Sequence, residues 1–212
     1  MPTPRSEIRK DYIEDKYVII APKRGVRPHD FVHPHHGERV HPRDCRFCPA
    51  NLAGQRSILT VGDGDRWLVK VIANKFPAVS LDNPNAYGTQ EVVIDTPDHR
   101  PELEDLSVEH IAQVLEVYAT RTKAISEDPK IEYILIFKNS GGSAGASIQH
   151  SHSQIFATQL LPPHLFAKSQ NVQAYKLKHG RCVYCDVVAR ERRGPRLVGV
   201  DGRVVAFTPY AS

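Results

Sequence analysis

The stretch GGSAGASIQHSHSQ, residues 141–154, combines a loop of small residues with two histidines and a glutamine. Side chains alternate across a β-strand, so we expect His150, His152 and Gln154 on one face and the two intervening serines on the other. Neighbouring side chains on one face lie about 7 Å apart. One histidine could therefore hold a metal ion while the next faces a substrate.

The chemistry open to such a histidine is nucleophilic attack. A neutral imidazole is a good nucleophile near neutral pH because its unperturbed pKa is about 6.5. Attack on phosphorus would give a phospho-histidine intermediate and divide one transfer into two steps. Gln154 could donate an amide hydrogen to a phosphoryl oxygen, and the glycine-rich loop could bring backbone N–H groups close to a phosphate. The alternative is a structural H-x-H metal clip without a nucleophile.

Four cysteines form two C-x-x-C pairs, Cys45/Cys48 and Cys182/Cys185. Paired cysteines in a reducing compartment indicate metal or redox chemistry rather than structural disulfides. The first pair lies in the proline-rich segment HPRDCRFCPAN, which favours zinc over a thioredoxin-like site at a helix start. Zinc prefers four nitrogen or sulfur ligands, and His99 and His150 are candidates for the other two.

The second pair is predicted to be incomplete in this chain, because no histidine follows Cys185. Only His164, His179 or residues outside this sequence could complete a second metal site.

Hydrophobic patterning predicts more strands than helices. We predict strands over residues 17–22, 65–80, 89–97, 130–139 (a buried strand) and 147–159. One helix is predicted within residues 102–128, with Ser107 as its N-cap. Its apolar face is predicted to contain Ile111, Leu115, Tyr118 and Ile125. Together these elements predict an α+β fold with a largely antiparallel sheet.

Composition limits the possible partners. The chain has 212 residues, of which 41% are hydrophobic and 25% charged, and its net charge is +4. The basic residues are scattered without interleaved aromatic residues, so we predict no nucleic-acid partner. No stretch is long enough to cross a membrane, and the polar N-terminus does not resemble a signal peptide, so a cytoplasmic protein is expected.

The two C-x-x-C segments suggest an internal duplication. Each precedes a polar stretch, an apolar strand and an ending of proline, a small residue and serine. We therefore predict an N-terminal domain over residues 1–168 and the incomplete start of a second domain over 169–212, without a helix or a histidine strand. The chain is then expected to be truncated or one half of a split protein. The alternative is two unrelated zinc-binding hairpins.

Four segments in order, CRFCPAN, ANKFPA, TPDHRPELEDLS and FKNSGGSAGASIQHSHSQ, resemble galactose-1-phosphate uridylyltransferases of the histidine-triad (HIT) superfamily. The resemblance implies two HIT-like domains, each an antiparallel sheet with a helix. It also implies a ping-pong reaction between a nucleotide sugar and a sugar 1-phosphate. The expected assembly is a homodimer or a complex with the missing C-terminal portion.

The resemblance also assigns roles by position. It implies that His152 is the nucleophile, with Gln154 beside it, and that zinc is held by Cys45, Cys48, His99 and His150. The implied nucleotide and phosphate contacts are Arg24, Arg27, Asn74, Asn139, Gly145, Ser147 and Gln154. In the family the two arginines reach phosphate across a dimer interface; the alternative is a solvated loop.

One departure from the family bears on the substrate. Uridylyltransferases usually read H-P-H, whereas HSHSQ resembles the ADP-glucose phosphorylase branch, which transfers an adenylyl group to phosphate and carries a second zinc. We expect a hexose-1-phosphate uridylyltransferase, with an adenylyltransferase as the alternative. A HIT-type hydrolase would have H-x-H-x-H, and Gln154 in place of the third histidine favours transfer. A non-enzymatic, zinc-stabilised nucleotide-binding half that needs a partner chain is the remaining alternative.

Overall fold

A computed structural model describes residues 5–10, 17–22, 24, 40–52, 54–64, 66–140 and 148–208. It divides the chain into two compact units, Met1–Leu161 and Pro162–Ser212. The predicted phosphate contacts Arg27, Gly145 and Ser147 lie outside the described residues. That the second unit begins a further HIT-like domain stays a prediction, as does the boundary after residue 168.

The first unit is built on a five-stranded antiparallel sheet. Its strands follow the order β3-β4-β5-β7-β6. They are β3 (Ser57–Asp63), β4 (Arg66–Ala73), β5 (Gly88–Ile94), β6 (Tyr133–Phe137) and β7 (His152–Thr158). A separate antiparallel ribbon pairs β1 (Glu7–Lys10) with β2 (Tyr17–Ile20). The predicted α+β fold with an antiparallel sheet is confirmed.

Helix α1 (Val108–Ile125) begins where the sequence predicted, because the Ser107 side chain accepts a hydrogen bond from the backbone N–H of His110. Its buried face was predicted only in part. Ile125 is buried as expected, but Leu115 is 56% exposed, and Val114 and Val117 are buried instead. The prediction for Leu115 is wrong because one residue along a helix turns the side chain by about 100°, which takes it off the packed stripe.

Two hydrophobic clusters cover the two faces of the sheet. On one face, Val69, Val71, Val93 and Ile155 pack with α1. On the other face, Ile72, Val92 and Ile94 pack with residues of the segment 40–52, namely Cys45, Phe47, Cys48 and Leu52. Strand β7 lies between β5 and β6, and its side chains alternate between the two covered faces.

Several strand predictions need correction. The strands are shorter than predicted, and β3 was missed altogether. The segment 130–139 was predicted to be buried, but β6 is an edge strand and Leu135 on it is 39% exposed. Strand β7 starts at His152 rather than at residue 147, so His150 precedes it. An edge position depends on strand order, which an apolar run does not encode.

The second unit contains α2 (Pro163–His179), α3 (Val183–Glu191) and an antiparallel hairpin of β8 (Leu197–Asp201) and β9 (Val204–Phe207). The expectation that residues 169–212 contain no helix is wrong, because α3 begins directly after Cys182 and most of α2 also lies in that range. Helix α2 buries none of its residues, so no apolar stripe marks it in the sequence. In the first unit the C-x-x-C precedes a 3-10 turn, in the second Cys185 lies within α3, and a hairpin follows in both. Among the described helices, none is long and apolar enough to cross a membrane.

The buried face of α1 can be tested by a pair of substitutions. Val117→Ala removes buried methyl groups and should lower the free energy of unfolding by about 2 kcal/mol. Leu115→Ala changes an exposed side chain and should alter it by no more than about 0.5 kcal/mol. Urea denaturation followed by circular dichroism measures both. Equal losses would contradict the orientation of the helix.

Candidate functional site

One donor atom from each of Cys45, Cys48, His99 and His150 lies within 4.8 Å of the others. The Nδ1 atom of His150 is 3.5 Å from Cys45 Sγ and 3.7 Å from Cys48 Sγ, and His99 Nδ1 is 3.4 Å from Cys48 Sγ. A zinc tetrahedron with bonds of about 2.0–2.3 Å has edges of about 3.6 Å. The cluster therefore has the size and donor set of a divalent-metal site.

A tight turn brings the two cysteines together. The Cys48 N–H donates to the carbonyl oxygen of Cys45, and the Cys45 N–H donates to that of His41. The side-chain nitrogen of Asn51 also donates to the Cys45 carbonyl, over 2.7 Å. Proline at position 49 then starts a short 3-10 turn, Pro49–Asn51. Both thiols are buried by this arrangement.

Backbone carbonyl groups fix which nitrogen each ligand histidine offers. Nε2 of His99 is 2.7 Å from the Val40 oxygen, and Nε2 of His150 is 2.8 Å from the Thr96 oxygen. A carbonyl oxygen only accepts hydrogen bonds, so Nε2 carries the hydrogen in both rings. Each Nδ1 is left with a free lone pair that faces the sulfur atoms, which is the orientation a metal ligand needs.

The protonation of the cluster also suits a cation. Burial, and after it the neighbouring Cys45, raise the pKa of Cys48 to about 12. Burial lowers the pKa of His150 below its ordinary value. The histidine is thus uncharged at neutral pH, and the Cys48 thiolate would form only beside a positive ion.

His152 is held differently from the four ligands. Its Nδ1 lies 2.8 Å from the carbonyl oxygen of His150, so Nδ1 carries the hydrogen and Nε2 is the bare nitrogen. The ring is 7% exposed and packs edge-on against Phe47, with ring centroids 5.0 Å apart. Burial lowers the pKa of His152 below its ordinary value, which keeps the imidazole neutral and nucleophilic near neutral pH.

His152 and Gln154 line a cavity of about 390 Å³, a volume suited to a small organic ligand. Apolar walls come from Phe47, Ile72, Val92 and Ile148. The basic residues of the lining are Arg24, Arg43, Arg46 and Lys75. Among its remaining residues are Asp44, Asn51, Gln55 and Asn74. Four positive side chains against one carboxylate make the cavity attractive to a phosphate-bearing ligand.

Sequence reasoning missed Gln90, which orients Gln154. The backbone N–H of Ala78 donates to Gln90 Oε1 over 3.0 Å, so the amide nitrogen of Gln90 must point the other way. That nitrogen donates to Gln154 Oε1 over 2.7 Å. Gln154 Oε1 is thereby engaged, and its amide nitrogen is the group left to donate to a ligand. The only signal in the sequence was an uncharged polar residue within the predicted strand 89–97.

Two of the predicted substrate contacts belong to the same hydrogen-bond network. Asn74 accepts a hydrogen bond from Phe76 N–H and donates to Gln154 Oε1 over 3.3 Å. Arg24 Nη1 donates to Gln90 Oε1 and to the Phe76 carbonyl oxygen. Both residues line the cavity, so the network joins its wall to Gln154.

The structure does not bring every predicted residue to this cavity. Asn139 is not among the described residues that line it. Cys182 and Cys185 are exposed, and among the residues that the structure describes they join no cluster of three metal-binding side chains. The homodimer implied by the resemblance stays a prediction.

Comparison with known proteins shows which enzymes this chain is similar to. Residues 63–162 match the sequence family described as galactose-1-phosphate uridyl transferase, N-terminal domain. A solved structure titled as a uridylyltransferase mutant superposes with a TM-score of 0.76 at 28% identity, over 97% of this chain and 62% of the other. The resemblance to galactose-1-phosphate uridylyltransferases is confirmed.

The proteins that are similar to this chain include enzymes with two different named activities. ADP-glucose phosphorylase of Arabidopsis thaliana is 30% identical over 97% of this chain and 62% of its own length. Its crystal structure with bound ADP-glucose superposes with a TM-score of 0.66, over 91% of this chain and 60% of that one. Galactose-1-phosphate uridylyltransferase of Haemophilus influenzae is 27% identical over 99% of this chain and 63% of its own length. The chain thus spans about six tenths of the length of these relatives.

The four-donor cluster predicts a bound divalent metal that depends on its histidines. His99→Ala should lower the metal content by about one ion per chain and reduce thermal stability. His41→Ala removes an exposed imidazole that accepts a hydrogen bond from Arg43 N–H but offers no ligand to the cluster, so it should leave the metal content unchanged. Elemental analysis and thermal unfolding of the purified variants measure the effects. Unchanged metal content in His99→Ala would refute the site.

Proposed function

We propose that this chain carries the first half-reaction of a nucleotidyltransferase, in which His152 becomes covalently nucleotidylated by a nucleotide sugar. The observation that carries the proposal is the bare Nε2 of a buried, neutral histidine in a cavity with a basic wall. The resemblance to uridylyltransferases supports the same chemistry.

In the proposed step, His152 Nε2 attacks the α-phosphorus of the nucleotide sugar. The Nε2–P bond forms as the bond from that phosphorus to the bridging oxygen breaks, and the sugar 1-phosphate leaves with the bonding electrons. The ring becomes positively charged while Nδ1 keeps its hydrogen. The His150 carbonyl oxygen, 2.8 Å from Nδ1, stabilises this charge. A second phosphate-bearing acceptor then takes the nucleotidyl group and restores the neutral ring.

Gln154 is proposed to stabilise the phosphoryl group during both steps. Its oxygen is held by Gln90 and Asn74, so its amide nitrogen can donate to a non-bridging phosphoryl oxygen. A donor already oriented in this way needs no reorganisation when charge shifts in the transition state. Arg24, and in the same proposal Arg27, Asn139, Gly145 and Ser147, would contact the nucleotide or its phosphates.

Zinc is the metal proposed for Cys45, Cys48, His99 and His150, because the set offers two thiolates and two imidazoles. When bound, zinc would supply structural cross-linking and would leave no coordination position for substrate. The metal would then tie the cysteine segment to His150, whose backbone carbonyl orients His152. The protein chain, rather than the metal, provides every group that acts on phosphorus.

The substrate proposed first is a UDP-hexose with hexose 1-phosphate as the acceptor, as in galactose-1-phosphate uridylyltransferases. Adenylyl transfer from ADP-glucose is the second candidate. The specific observation in its favour is the 30% identity to ADP-glucose phosphorylase over 97% of this chain. The HSHSQ sequence, with serine between the histidines, favours it too.

Intact-mass spectrometry distinguishes these candidates. The protein is incubated separately with UDP-glucose, UDP-galactose and ADP-glucose, alongside His152→Ala. A uridylyl adduct that His152→Ala lacks would establish the proposed half-reaction, and an adenylyl adduct would move the protein to the second candidate. If no substrate yields an adduct, this chain does not carry out the half-reaction by itself.

The role of Gln154 predicts graded effects on the rate of adduct formation. Gln154→Leu removes the amide donor and should slow the reaction by about 10²- to 10³-fold, the usual cost of losing one such donor. Gln90→Leu keeps the donor but releases its orientation, and should slow the reaction less. Rapid-quench measurement at saturating substrate provides both rate constants. Rates equal to wild type in Gln154→Leu would remove the glutamine from the mechanism.

A further inference from the structure

A buried carboxylate lies behind residues 150–154, which we call the histidine segment, on the side away from the cavity. Asp95 is fully buried and directly follows β5. Its Oδ2 is 3.0 Å from Lys138 Nζ and accepts a hydrogen bond from Ser151 Oγ over 3.0 Å, and its Oδ1 accepts one from Ser153 Oγ over 3.2 Å. Lys138 Nζ also donates to Ser151 Oγ over 2.7 Å. We call Asp95, Lys138, Ser151 and Ser153 the Asp95 clamp.

The clamp contacts the backbone as well as the side chains of this segment. The Asp95 N–H donates to the Ser151 carbonyl oxygen over 3.2 Å, and Lys138 Nζ lies 3.5 Å from the His152 carbonyl oxygen. Tyr118 of α1 donates to Ser153 Oγ over 2.6 Å, which joins the helix to the same group. The residue between the two histidines is therefore held through both its hydroxyl and its carbonyl.

The position of Ser151 determines what the clamp can control. The His152 ring is oriented by a hydrogen bond from Nδ1 to the His150 carbonyl oxygen. That carbonyl belongs to the peptide bond that joins His150 to Ser151. Rotation of this peptide would move the His150 carbonyl oxygen and break its hydrogen bond to the His152 ring. Contacts that hold Ser151 in place therefore also hold the imidazole of His152 in place.

We propose that the Asp95 clamp positions His152 for attack, from the face of the sheet opposite the cavity. The proposal deepens the proposed function and rests on it for its kinetic consequences. The clamp also accounts for the serines of HSHSQ. Proline between the histidines would restrict the backbone through its ring, whereas serine has no such restriction. In this chain, hydrogen bonds to a buried ion pair supply the restraint.

A second buried ion pair offers a matched control. Glu91 and Arg121 form a bidentate pair with distances of 2.7 and 2.8 Å, also between the sheet and α1. Neither residue bonds to the histidine segment in the contacts described. Arg121→Met leaves the buried Glu91 without its cation, so it should destabilise the fold. Lys138→Met does the same to the buried Asp95, and also removes a 3.4 Å contact with the partly exposed Glu102. Only Lys138→Met disturbs the clamp.

The kinetic test compares Ser151→Ala, Lys138→Met and Arg121→Met with wild type. The rate constant for nucleotidyl-histidine formation is measured at saturating nucleotide sugar, together with its dissociation constant and thermal stability. The clamp variants should react roughly ten- to a hundredfold more slowly, with the dissociation constant changed less than threefold, because misorientation of a nucleophile affects the chemical step. Arg121→Met should react at the wild-type rate. Equal slowing of Arg121→Met and Lys138→Met would overturn the proposal.

A second measurement does not depend on activity, and it also covers the case in which Lys138→Met fails to fold. Nitrogen-15 NMR of histidine-labelled protein, with His152 assigned by comparison with His152→Ala, should show a single tautomer with hydrogen on Nδ1 in wild type. Ser151→Ala should show a mixture of tautomers. A wild-type spectrum in Ser151→Ala would overturn the clamp. If wild type forms no adduct but the tautomers change as expected, the proposed function fails and the clamp stands.

Discussion

The alternation of side chains along β7 and the residues just before it is the constraint on which the site depends. Successive residues face opposite sides of the sheet, so five consecutive residues serve two different environments. His152 and Gln154 face the cavity. Ser151 and Ser153 face Asp95 on the side of α1. A shift of this segment's register by one residue would exchange the histidine and glutamine side chains with the serines and place hydroxyl groups in the cavity.

Hydrogen bonds from the imidazole rings to backbone carbonyl groups decide which nitrogen of each histidine is available for chemistry. All three histidines of the site place one nitrogen 2.7–2.8 Å from a backbone oxygen, and the identity of that nitrogen decides what the other can do. His99 and His150 bond through Nε2 and offer Nδ1 to a metal. His152 bonds through Nδ1 and offers Nε2 to the cavity. Breaking one such buried hydrogen bond costs about 1–3 kcal/mol, enough to hold one tautomer.

Features that depend only on neighbouring residues were predicted correctly from the sequence. The N-cap at Ser107 and the tight turn between Cys45 and Cys48 depend on neighbouring residues only. Errors arose where packing decides. Leu115 lies beside the correct helical stripe but off the core, and the apolar segment 133–137 forms an edge strand because β7 occupies the place beside β5. Helix α2 was missed because none of its residues is buried, so no apolar stripe marks it.

The sequence by itself determined the chemical groups: two thiols three residues apart, histidines at positions 150 and 152, and a glutamine two residues further on. It also indicated that these groups suit a metal and a phosphorus centre. Only the tertiary structure decided how each group is used. The Val40 and Thr96 carbonyl oxygens, Gln90 and Asp95 reach the site from positions 54 to 110 residues before His150. Hydrogen bonds over such separations exist only once the strands are paired, so no local pattern encodes them.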